Sequence, residues 1–69
     1  MDFKQLCKKI DLVFKNENEN EKLIMIEGVK KGNNFFIASG RTKEELSKRL
    51  ISFKIKNSLI GMKFYITEL

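Results

Sequence analysis

Residues 22–46 read KLIMIEGVKKGNNFFIASGRTKEEL, and the order in which their patterns change decides the fold. Leu23, Ile24, Met25, Ile26 and Val29 make a short, nearly continuous apolar run, too short for a typical helix and rich in strand formers. A strand is expected over 22–30. Lys31, Gly32, Asn33 and Asn34 supply turn chemistry, because Gly and Asn tolerate positive φ, and Phe35, Phe36, Ile37 and Ala38 resume a strand over 35–39. The two strands should form a hairpin. Thr42 then precedes Glu45 by three residues, the spacing at which each side chain can accept from the other's backbone N–H. Leu46, Leu50 and Phe53, with Ile51 beside them, continue as one apolar stripe and predict a helix over 43–54.

Working outward, Phe3, Leu6, Cys7, Ile10, Val13 and Phe14 fall on one stripe of a 3.6-residue period, with Leu12 partly outside it. This predicts an amphipathic helix over 2–15, opened by Asp2 as an acid or cap at its start. The run Asn16-Glu17-Asn18-Glu19-Asn20-Glu21 offers nothing apolar to bury and is expected to be a flexible linker. At the other end Ile60, Met62, Phe64 and Ile66 alternate with Gly61, Lys63, Tyr65 and Thr67, which predicts a third strand over 59–67 with one buried face.

The order is therefore α-β-β-α-β in a single α+β domain spanning residues 1–69. The second strand, second helix and third strand form a crossover, so those two strands should run in the same direction. The first strand is the most apolar and belongs in the middle, antiparallel to both. The result is a three-stranded mixed sheet of order 2-1-3 with two helices packed on one face, and a sheet with the second strand central is the alternative. The uncovered face would then carry some of Leu23, Met25, Val29, Phe35, Phe36 and Tyr65. Homodimerisation through that face or an edge strand is expected, with a partner protein as the other way to cover it.

Composition narrows the chemistry. The chain has no histidine and only two aspartates, Asp2 and Asp11, and several of its glutamates lie in the linker, so an enzyme is not expected. Glu44 and Glu45 are neighbours on a helix and point in different directions, which suits a helix cap and dipole better than a carboxylate pair. Cys7 lies on the apolar stripe and is read as packing; one cysteine permits no intrachain disulfide. The isolated glycines at 28, 32, 40 and 61 make no phosphate-binding or dinucleotide loop, and residues 16–21 lack the pattern of a calcium loop. No cofactor or metal is expected. No stretch reaches the length of a membrane helix, and a lone thiol fits a reducing compartment, so a cytoplasmic location is expected.

Charge is the positive signal. Twelve lysines and two arginines give a net charge of +5, and residues 30–69 carry nine basic residues against three acids. A polyanionic or acidic partner fits that asymmetry. The candidate contact residues are Lys30 and Lys31 at the hairpin tip, Arg41 and Lys43 at the start of the second helix, Lys48, Arg49, Lys54 and Lys56 along it, and Lys63 on the last strand. Phe36 and Tyr65 join them as strand aromatics able to stack bases or to meet a protein. The hairpin tip and the end of the second strand lie at opposite ends of a strand, so these residues need not form one patch.

The segment Phe36, Ile37, Ala38, Ser39, Gly40, Arg41, Thr42, Lys43, Glu44, Glu45, Leu46 resembles the strand-to-helix junction of double-stranded RNA-binding domains and of the arm-binding domains of phage-type integrases. The likeness is confined to these residues and implies little more than a strand entering a capped helix. The chain lacks one strand of those meanders, has a strand after the helix, and lacks the basic cluster expected at the start of the RNA-binding helix. The expected function is a small non-enzymatic regulator acting on nucleic acid or a nucleoprotein complex through a basic surface. The alternative is a protein-binding inhibitor of phage or mobile-element type, such as an anti-CRISPR or antitoxin-like module, using an apolar sheet face against a larger target protein.

Overall fold

A computed structural model describes residues 1–15 and 22–69. The expected linker at 16–21 lies outside the described residues. Helix α1 spans Phe3–Val13, strand β1 Ile24–Lys30, strand β2 Asn33–Gly40, helix α2 Lys43–Lys56 and strand β3 Lys63–Glu68. The sheet order is β2-β1-β3. The outer strands run in the same direction, but each pairs only with β1, so the ladder is antiparallel throughout rather than mixed. Among the described residues no helix is long and apolar enough to cross a membrane.

The hairpin is tighter than its sequence suggests. Lys30 pairs with Asn33, leaving only Lys31 and Gly32 in the turn, at φ 52° and 81°. Positive φ at both central positions lets the turn follow the right-handed twist of the strands, so β2 begins at Asn33 and not at residue 35. Further along, the register slips between Ile26 and Glu27: Ile26 faces Ala38 while Glu27 faces Phe36, and Ile37 is the extra residue of a bulge. The bulge resets the alternation. Phe35, Ile37 and Ala38 all join the core, whereas Phe36 turns to the open face and is 60% exposed.

Both helices cover one face of the sheet. Leu6 and Ile10 of α1 and Leu46 and Leu50 of α2 are buried with Ile24, Ile26, Ala38, Met62 and Phe64. Phe3 meets Phe64 edge-on at 5.8 Å, and Phe53 stacks on Phe35 at 6.2 Å. Two further contacts fix the direction of the helices. Lys43 at the start of α2 reaches Asp11 near the end of α1, at 2.7 Å, and Lys54 near the end of α2 sits 5.1 Å from the ring of Phe3 at the start of α1. The helices are thus antiparallel neighbours.

Several local expectations are corrected. Cys7 is exposed, because it sits one residue, about 100°, round the helix from Leu6, at the margin of the stripe that the sheet covers. Ile51 is exposed on α2 for the same reason relative to Leu50. Thr42 does cap α2, its Oγ1 accepting from the Glu45 N–H at 3.1 Å, but the Glu45 carboxylate takes the Thr42 hydroxyl instead of its backbone N–H. The reciprocal pair forms at α1, where Asp2 accepts from Gln5 N–H at 2.8 Å and Gln5 Oε1 accepts from Asp2 N–H at 2.9 Å. β3 starts at Lys63 rather than 59, because Met62 N–H donates to Leu59 O across a turn with Gly61 at φ 73°. Ile60, expected on the strand's buried face, lies in that turn and is 84% exposed.

Candidate functional site

Strand register and helix direction together bring part of the basic set to one end of the molecule. The β1–β2 turn puts Lys30 and Lys31 at that end. Lys63 opens β3 opposite Val29, the residue next to Lys30. α2 leaves the far end of β2 and returns toward the turn, with Phe53 stacked on Phe35, which itself pairs with Gly28. Its last turn therefore delivers Lys54 and Lys56 to the same end. Lys54 is held over Phe3, whose ring abuts Phe64, the neighbour of Lys63. Lys30, Lys31, Lys54, Lys56 and Lys63 thus come from the hairpin tip, one helix terminus and one strand start to form a basic pole.

The rest of the set lies elsewhere, and two of its members, Lys43 and Arg49, have structural partners. Arg41 and Lys43 stand at the opposite end, beyond the last residues of β2, where Lys43 pairs with Asp11. Arg49 donates to the Ser39 carbonyl and lies 3.5 Å from Glu45, one turn back on α2. Lys48 is exposed midway along α2. Lys22 meets Glu68 at 3.8 Å, again away from the hairpin tip. All three of these ion pairs use acids remote from the basic pole, so among the described residues pairing offsets charge at one end and not at the other. Each pair is half-exposed and contributes little to stability, and its effect is on the shape of the field.

One exposed lysine at this end, Lys4, is not among the candidates that the sequence pattern picks out. It lies in the first turn of α1, and Met1 is anchored nearby through Phe64, whose N–H donates to the Met1 carbonyl at 2.8 Å and whose carbonyl accepts from the terminal ammonium at 3.3 Å. The Asp2-x-x-Gln5 spacing was the available signal that α1 begins there. Among the described residues Asp2 is the one acid at this end, and its carboxylate is occupied with the Gln5 N–H. Two of the lysines also have an ordinary structural use, since Lys54 and Lys56 in the last turn of α2 complement the helix dipole.

The open face of the sheet adjoins the pole. Its middle row is Phe36 on β2, Glu27 on β1 and Tyr65 on β3, with both aromatic residues paired directly with Glu27. The row toward the hairpin tip is Asn34, Val29 and Lys63, and the row away from it is Ser39, Met25 and Thr67. Tyr65 is 51% exposed. Phe35, one of the candidates for this surface, is absent from it, because the bulge turns it inward. No protein-family model, curated protein or solved structure compared with the chain matches it.

Proposed function

We propose that the protein is a non-enzymatic binding protein for nucleic acid that takes phosphates at the basic pole. The observation that carries this reading is the convergence of Lys30, Lys31, Lys54, Lys56 and Lys63 from three separate elements, while the acids Asp11, Glu45 and Glu68 are paired elsewhere. Phosphate binding draws on such a set, because each lysine that neutralises a phosphate releases a condensed counterion. The lysines of α2 contribute through its C-terminal turn rather than along its length.

The test is the salt dependence of binding to labelled oligonucleotides. With all five lysines engaged on a single strand, log K should fall against log salt with a slope of about −3.5, and replacing Lys54, Lys56 and Lys63 by Gln should remove about 2 of it. Undetectable binding at about 50 mM salt, or a slope that the triple variant leaves intact, would sink the reading.

A second reading, a protein target engaged through the open face, is favoured by the exposure of Phe36 and Tyr65. It predicts binding that survives moderate salt, does not depend on the pole lysines, and fails when Phe36 or Tyr65 becomes charged.

A further inference from the structure

Resting on the nucleic-acid reading above, we infer that the open sheet face takes a single strand, with one base on Phe36, one on Tyr65 and a preference for guanine set by Glu27 between them. Neighbouring strands are about 4.8 Å apart, so two spacings separate the aromatic side chains by about 9–10 Å. Stacked bases follow one another at about 3.4 Å along a strand. Bases seated on both rings are therefore unstacked from each other, which a single strand permits and an intact duplex does not. Aromatic side chains on a sheet serve this purpose because every base has a π-face.

Lys63 lies on the same face as Tyr65, two residues earlier on β3, and joins the face to the basic pole. A backbone whose phosphates sit at Lys31 and Lys63 thus enters the face at the row toward the hairpin tip and meets Tyr65 next. Charge complementarity at this entrance is what selects nucleic acid as the occupant. A second copy of the chain fits less well: a two-fold contact centred on the middle row would set Glu27 against Glu27 and bury both carboxylates.

Glu27 supplies the selectivity. Its carboxylate stands half-buried between the two aromatic positions, and no hydrogen bond or ion pair ties it to the other described residues. An ionised carboxylate only accepts, through two oxygens side by side. Guanine offers two adjacent N–H donors on its Watson–Crick edge, whereas thymine offers one, flanked by carbonyls that a carboxylate repels. The central acid therefore favours guanine and disfavours thymine while contributing nothing to phosphate binding.

The experiment measures fluorescence anisotropy of three labelled probes: an oligo-dT strand, an alternating dT/dG strand of equal length, and a duplex of mixed sequence. The proteins are wild type, Phe36→Ala, Tyr65→Ala, the double aromatic variant and Glu27→Gln, with light scattering on each. Phe36 and Tyr65 are more than half exposed, so these variants should keep the fold, which thermal melts verify. Each aromatic replacement should weaken single-strand binding by about fivefold to a hundredfold and leave duplex binding unchanged. Wild type should prefer the dT/dG strand by about fivefold or more, and Glu27→Gln should shrink that preference. Equal single-strand affinity in wild type and the double variant would overturn the use of the face, while a duplex affinity that still depends on the pole lysines would leave the wider reading standing. A wild-type dimer that the aromatic changes convert to monomer would overturn it in favour of a second copy as occupant. Equal affinity for the two single strands would remove the role of Glu27.

Discussion

Gly28 lies directly across the β1–β2 ladder from Phe35, and the ring covers the place where a Cβ would stand, 2.9 Å from Phe35 Cζ. Ile37 Cδ1 closes the same space at 2.9 Å, and Phe64 is the partner on the other strand. Two large side chains meet over one residue without a side chain, beside a third on the neighbouring strand, and together they cover the middle of the sheet. Gly28→Ala should therefore overpack the core and destabilise the protein by about 1–3 kcal/mol. A thermal melt would show a fall of about 4–8 °C per kcal/mol for a domain of this size, and an unchanged melt would mean that the rings move aside freely. Affinity for oligonucleotides at temperatures where both forms are folded should not change, because Gly28 faces the core.

Asp2 and Thr42 both cap helices, yet their replacement should separate stability from binding. Either change to Ala should cost about 1 kcal/mol, since an N–H at the start of a helix loses its acceptor. Asp2 is also the acid at the basic pole, whereas Thr42 lies at the far end. Asp2→Ala should therefore tighten oligonucleotide binding at low salt while Thr42→Ala leaves it alone. Melts and anisotropy on the two variants check this, and identical effects on binding would remove Asp2 from the field of the pole.

The strand order and the covered face were legible because each element announces itself by a clear period and one strand is apolar enough to need the centre. What was not legible traces to single residues. Nothing in Phe35-Phe36-Ile37-Ala38 marks Ile37 as the bulged residue, so which phenylalanine faced out had to wait for the register. Ile60 continues the alternation of β3 into a turn, where positive φ at Gly61 outweighs the pattern. Cys7 and Ile51 follow apolar stripes whose margins no pattern defines. The basic pole was readable in principle, since a helix leaving the end of β2 must return toward the hairpin tip. Position along the chain alone does not show that Lys54 and Lys56, and not Arg41 and Lys43, reach the side of Lys30 and Lys31.

Lys31 sits at φ 52°, the one non-glycine residue with positive φ among those described, in a turn position that favours Asn or Gly. A residue that breaks the local preference while adding a charge to the pole marks a conflict between folding and binding. Lys31→Asn should relieve it. Stability should rise by about 0.5–1 kcal/mol, because Asn tolerates the left-handed region better, and the melt should move up by several degrees. Oligonucleotide binding should weaken, with the salt slope falling by about 0.7 for a single strand as one phosphate contact is lost. A variant more stable than wild type and unchanged in slope would show that Lys31 touches no phosphate, leaving the contacts to the other lysines of the pole.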